Sequence, residues 1–396
     1  MMSGVVLPVP VSVRSSKPRM HRSGRIGGGG GRRRSWRVYQ SSLITNPESF
    51  EVGRLVGSYG FLNLTTYSSS DVLRTQDVGQ GTVTVKLYKG RIIQGQLRGT
   101  SVLFKVYPGQ RAAGPEADLM ASNELSTHAF LQSTSTPRCH NLLLLVGAFE
   151  TNTGEQWLAF RNDGTYTAAD YAKFASDKLQ SPQSQSFWNP FDLDQMLKRR
   201  RYFVTKMLQG ISNGLAYMHH HDRLHQSLGP ASVVLNTTSE REAVYLIPRL
   251  RDLAFSVDIS YSSLEKGPGA LSEGLWRRAI AAGAFNPIEK RNFGIADDIY
   301  EAGLLFAYLA FIPFCETGIM DSLSLQRLLE STFKLDLQAA REYCLADERL
   351  LEAVKFLDVG DGAGWELLQA MLNTDYRKRP IAAAVSSHRF VTGALL

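Results

Sequence analysis

Five positions in this 396-residue chain carry side chains whose types and spacing could do chemistry together. Lys105 ends the run Val102-Leu-Phe-Lys, and Glu124 follows nineteen residues later. A flexible ammonium needs an anionic partner to stay in one place, so the two could form a fixed ion pair able to hold an anion. His225 and Ser227 lie in Leu224-His-Gln-Ser-Leu-Gly-Pro-Ala-Ser232, where Ser227 can hydrogen-bond but is a very poor base at neutral pH. Asp252, 25 residues after Ser227, offers one hard oxygen ligand. Taken singly, a strand lysine is usually solvated and a lone aspartate usually caps a turn. Two glycine pairs, Gly57-Ser-Tyr-Gly60 and Gly90-Arg-Ile-Ile-Gln-Gly95, could let backbone amides approach an anion.

The elements needed to hold these residues are legible as patterns. Alternating or β-branched runs at 82–88, 91–97 and 101–107, broken by Lys89-Gly90 and Arg98-Gly-Thr100, predict an antiparallel meander ending on Lys105. Apolar residues at three- and four-residue steps predict a helix over 116–132 that carries Glu124. Strands are expected at 142–149 and 156–160, and a Ser-, Gln- and Pro-rich loop over 175–190. Beyond 191 the chain reads as mainly helical, with a long helix at 197–220, short strands at 232–235 and 243–247, and helices at 298–312, 323–333, 335–345, 349–356 and 364–373.

Those motifs resemble protein kinases. Val102-Leu-Phe-Lys105 is similar to the family's Val-Ala-Ile-Lys strand, and the resemblance makes Lys105 the phosphate-holding lysine and Glu124 its helix partner. The stretch 224–235 aligns without a gap on the His-Arg-Asp-Leu-Lys-Pro-x-Asn loop. His225 is kept, but Ser227 stands for the catalytic aspartate, Gly229 for the phosphate-facing lysine and Ser232 for the metal-binding asparagine. A missing general base alone costs roughly 10²–10⁴ in rate, so the resemblance implies a catalytically impaired pseudokinase. Its alternative is an active Ser/Thr protein kinase of plastid proteins in which Asp222, Asp252 or another carboxylate replaces the missing base. Asp252-Leu-Ala254 looks like the metal-binding Asp-Phe-Gly, with Asp252 as the Mg²⁺ ligand. Gly90 and Gly95, spaced better from Lys105 than Gly57 and Gly60, are the expected nucleotide-loop glycines; Val85 and Leu87 then occupy the places of the first two family glycines. Lys105, Glu124 and Asp252 leave room for weak binding of ATP and Mg²⁺. Asp298 matches the buried aspartate that bonds the catalytic-loop backbone, and Arg379 matches an arginine that pairs with a glutamate, here Glu289. The implied fold is α+β and bilobal, with a small antiparallel β-rich N-lobe and a larger helical C-lobe.

Composition adds an address. The net charge of +7 is uneven: residues 1–47 hold nine Lys and Arg and no acid, and removing those nine from 44 leaves 35 cations against 37 carboxylates. An Arg- and Ser-rich, acid-free start is the composition of a transit peptide. Ser, Val and Pro within it favour a chloroplast over a mitochondrion. The expected organisation is a transit peptide at 1–47, an extension at 48–79, an N-lobe at 80–165 and a C-lobe at 166–392. The near-neutral body weakens a nucleic-acid-binding reading, so no nucleic-acid partner is expected, and Lys198-Arg-Arg-Arg-Tyr202 reads as a solvated helix face. The longest apolar run, 302–315, is too short to span a bilayer, which leaves only peripheral membrane association open. Cys139, Cys315 and Cys344 have no metal-ligand spacing and read as small hydrophobes. Partners are expected to be other plastid proteins, met through the loops 61–80 and 175–190.

Overall fold

A computed structural model describes residues 43–61, 76–77, 83–134, 139–180, 190–267, 269 and 271–393. Residues 1–42 of the expected transit peptide, most of the loop 61–80 and residues 181–189 of the expected loop 175–190 lie outside the described residues, whereas Ile44 bridges to Gly147, so the expected boundary at 47 falls inside the fold.

Buried Val83 and Val85 alternate with exposed Thr84 and Lys86, the period-2 pattern of a half-buried strand. That strand belongs to a six-stranded antiparallel sheet: β1 (Phe50–Phe61), β2 (Gln76–Asp77), β3 (Val83–Ile92), β4 (Ser101–Tyr107), β5 (Leu145–Glu150) and β6 (Gln156–Arg161), in the order β2-β1-β3-β4-β6-β5. The register sets Lys105 opposite Leu87 on one side and Leu158 on the other. Phe50, Phe104, Phe149 and Trp157 fill one layer on the face opposite Lys105, with Phe104 edge-on to Phe50 at 5.4 Å and Phe149 stacked on Trp157 at 5.6 Å. Helix α1 (Gln110–Ser133) packs on the same sheet. It kinks where Gly114 takes φ +70° before Pro115, and then buries Ala117, Met120, Ala121, Glu124, Leu125 and His128 along one stripe.

The C-terminal part is built on two long helices, with α2 (Ala168–Gln180) beside them: α3 (Pro190–His220) and, after α4 (Tyr261–Glu265) and α5 (Glu273–Ala281), α6 (Pro287–Phe311). Met207, Ile211, Leu215, Ile299, Phe306 and Leu309 make their shared core. Asn286 and Glu289 cap α6 reciprocally, which fixes where it begins. Short pairs hold the loops between: β7 (Tyr166–Thr167), β9 (Val233–Leu235) and β10 (Arg249–Leu250) form one small sheet, and β8 (Arg223–Leu224) pairs with β11 (Val257–Asp258).

Several sequence expectations change. Phe50–Phe61, read as part of an extension, is a sheet strand, so the sheet begins thirty residues earlier than the expected N-lobe. The loop expected from 175 is helical through Gln180, because Ala168, Tyr171, Ala172 and Ala175 bury one face of α2. The strand expected at 243–247 is a 3₁₀ turn (Glu240–Tyr245), with Val244 and Tyr245 turned outward, and the ladder resumes only at Arg249 after Pro248. The helix expected at 323–333 divides into an α turn (Ser322–Gln326) and a π turn (Arg327–Thr332). Within the basic run, Arg200 points inward, wholly buried, and donates to Glu240 at 2.9 Å and to the Pro313 carbonyl, so the run is not one solvated face. Cys315 and Cys344 are buried, and burial pushes their thiols up to about 12 and about 11.

Candidate functional site

Strand β4 delivers Lys105, helix α1 delivers Glu124, and the turn after β10 delivers Asp252. All three lie together beneath the sheet, 4%, 1% and 0% exposed. Lys105 Nζ donates to Glu124 Oε2 at 2.6 Å and to Asp252 Oδ1 at 2.7 Å. Three residues that the sequence reading missed join the cluster. The Tyr59 hydroxyl donates to Asp252 Oδ1 at 2.6 Å, and Arg251 Nε lies 3.1 Å from Asp252 Oδ2. Tyr107 donates to Glu124 from the other side. Burial would raise the Asp252 carboxyl, but Lys105 and then Arg251 hold it well below its ordinary range. Burial would likewise lower Lys105, but Asp252 and Glu124 keep it firmly charged. Burial, then the Asp252 charge, keeps Tyr59 protonated. Among the described residues, the two cations and two carboxylates form a mutually neutralised ion cluster.

The loop after α3 is held by Asp298 of α6. Its carboxylate accepts from His225 N at 2.8 Å, Gln226 N at 2.9 Å, Gln226 Nε2 at 3.0 Å and lies 2.9 Å from His219 Nε2. Gln226 sits at φ +60° and Asp252 at φ +67°, so both turns use a left-handed residue without glycine, at a cost that the surrounding bonds must offset. Ser227 is 3% exposed and its hydroxyl donates to the Asp252 carbonyl at 2.7 Å. Ser232 closes on its own turn, accepting from Gly229 N at 2.9 Å and donating to Gly229 O at 2.8 Å. All three substituted positions therefore serve the local backbone. Asp222, a candidate replacement base, is held by Arg291 at 2.8 and 3.1 Å.

Two expected assignments do not hold in space. Gly90 faces Val102 in the sheet, and a Cβ there would meet the Glu51 carbonyl at 2.4 Å and the Phe104 ring at 2.5 Å; its smallness serves packing. Gly95, at φ +80°, shapes the turn between β3 and β4. Neither approaches Lys105. Gly57 and Gly60, which the spacing disfavoured, flank Tyr59 at the cleft instead. The separation in sequence misled because residues 62–82, between β1 and β3, lengthen it without moving β1. Nor does Glu289 meet Arg379. Glu289 caps α6 by accepting from Phe285 N and Asn286 N, whereas Arg379 donates to the carbonyls of Asn373 at 2.7 Å and Ala296 at 3.0 Å and lies over the Tyr300 ring.

Beside the cluster a cavity of about 460 Å³ opens between the sheet and the helical part, lined by Leu55, Leu87, Leu103, Tyr166, Val234 and Arg251 among others. Sheet, helix α1, cavity and ion cluster together define a bilobal protein-kinase-like fold. Among solved structures, the chain is similar to that of a Stt7 homolog from Micromonas algae soaked with ATP. The TM-score is 0.56 at 16% identity, over 93% of this chain and 97% of the other. No family model and no curated protein matches the sequence. No helix among the described residues is long and apolar enough to cross a membrane.

A kinase-like fold implies Mg²⁺ with ATP, and the side chains present do not fit that pair. Asp252 has Oδ1 shared by Lys105 and Tyr59 and Oδ2 beside Arg251, and Ser232 is turned into its own backbone. A divalent ion there would face two cations at one carboxylate, with no second carboxylate or amide oxygen supplied by the Ser232 position.

Proposed function

We propose that this chain is a plastid pseudokinase: a kinase-fold protein that transfers no phosphoryl group and acts as a scaffold or regulator of other plastid proteins through its surface. The observation that carries the reading is the burial of Ser227 with its hydroxyl committed to the Asp252 carbonyl. A residue so placed can neither reach nor deprotonate a substrate hydroxyl. Asp298 and the Lys105–Glu124 pair are kept, so the scaffold persists where the chemistry has gone. The plastid assignment rests on the acid-free, Arg- and Ser-rich first 47 residues. The alternative, an active Ser/Thr kinase, would need a free carboxylate near the loop, and Asp222 is engaged by Arg291.

The test is incubation of the full chain with radiolabelled ATP, Mg²⁺ or Mn²⁺, and generic protein substrates. No incorporation into substrate or chain is expected. Incorporation that a Lys105→Ala variant shown to be folded lacks would overturn the reading. Uptake and processing of the full chain by isolated chloroplasts, and not by mitochondria, is the expected result for its address.

A further inference from the structure

We propose that Tyr59 is a built-in plug of the nucleotide cleft, an intrachain occupant of the space between Lys105, Arg251 and Asp252 that an incoming polyphosphate must displace. The inference deepens the pseudokinase reading, and rests on it only in taking the cleft to be kinase-like.

Three observations converge. The hydroxyl of Tyr59 makes a 2.6 Å bond to Asp252 Oδ1, the oxygen that Lys105 also holds. Its ring lies 5.6 Å from Lys105 Nζ and 5.6 Å from Arg251 Cζ, so the aromatic ring contacts both of the cations that would otherwise meet a phosphate. The residue is buried although it belongs to β1, whose neighbours Glu51–Val56 are exposed. Register shifts between Val52 and Leu55 and between Leu55 and Gly57 twist β1 just before Tyr59, and glycines on both sides of Ser58-Tyr59 leave that strand end narrow. The cavity that remains lies beside the plug, toward Leu55, Leu103, Tyr166 and Val234.

A ligand that needs the phosphate end must first break a charge-assisted bond inside a buried cluster. Its apparent affinity is then reduced by the fraction of molecules in which Tyr59 has swung out. Removing the ring opens the space directly, and removing only the hydroxyl loosens it.

Binding of ATP, with and without Mg²⁺, is measured by calorimetry on the full chain and on Tyr59→Ala and Tyr59→Phe. Tyr59→Ala and Tyr59→Phe are each expected to bind at least about tenfold tighter than the natural chain, the lower end of what one charge-assisted hydrogen bond contributes. Equal affinity of the natural chain and whichever variants fold overturns the plug, since Tyr59→Phe keeps the packed ring even if Tyr59→Ala does not fold. The two readings fail separately. A Tyr59→Ala chain that binds ATP yet transfers nothing supports both; one that binds and transfers keeps the plug and removes the pseudokinase assignment.

Discussion

The Ser227 hydroxyl donates to the main-chain carbonyl of Asp252 across 2.7 Å, joining the two turns that in an active kinase would present base and metal ligand. On the proposed pseudokinase reading, the serine puts a structural group where the resemblance expects a catalytic one. Ser227→Ala would leave that buried carbonyl without this donor, a loss of about 1–3 kcal/mol. Urea unfolding of the variant should show a lower midpoint at unchanged slope, while phosphotransfer stays at background.

Lys105 bridges Glu124 and Asp252, both buried. Lys105→Ala should therefore destabilise the fold in the absence of any nucleotide, by about 3–5 kcal/mol, the cost of leaving buried charge uncompensated. A melting temperature equal to that of the natural chain would show that the lysine is not part of a structural ion cluster. The direct consequence is practical: this variant is a poor nucleotide-null control unless its folding is checked first.

Much of this was legible in the sequence, for identifiable reasons. Lys105, Glu124 and Asp298 lie in elements whose periodicity fixes their direction, and Asp252, in a turn, was found through its spacing from the loop at Ser227. The pattern is β-like from about residue 51, but Phe50–Phe61 was assigned to an extension because its glycines and bulges hide the alternation and 62–82 separates it from its partner β3. Tyr59 and Arg251 were missed for a different reason: no local pattern says that a strand tyrosine will cross to an aspartate 193 residues away. Glu289 was misassigned because a capping box and a degenerate ion-pair motif look alike in one dimension, whereas the cap bonds are local and the expected partner was ninety residues away.

The two glycines offer a direct check on where the nucleotide loop is not. Gly90→Ala should be costly, about 1–3 kcal/mol, because its Cβ would press on the fixed Glu51 carbonyl as well as on Phe104. Gly95→Ala meets open space and should cost only about 1 kcal/mol, from its positive φ. Neither should change ATP affinity once the folded fraction is accounted for. A selective loss of binding in a well-folded Gly95→Ala chain would place the phosphate contacts at this turn after all.

Stability should also fall in mild acid, and His128 is the reason. It is buried in α1 with its ring edge-on to Phe160 at 5.0 Å, and its Nε2 has no hydrogen-bond partner. Burial, then the Lys105 charge, pushes its pKa down to about 3. In the unfolded chain the ring binds a proton near its ordinary value of about 6.5. Between those two values the unfolded state holds a proton that the folded state refuses, so folding weakens as pH falls, by up to about 1.4 kcal/mol per unit. His225, lowered chiefly by burial, acts with the same sign. Asp252, whose pKa is depressed, contributes stability that is intact above the ordinary carboxylate range and is lost only in stronger acid. Urea midpoints at pH 7, 6 and 5 should therefore decline, and His128→Leu should flatten the decline without abolishing it. An unchanged slope in that variant would mean that His128 takes up its proton in the folded chain as readily as in the unfolded one.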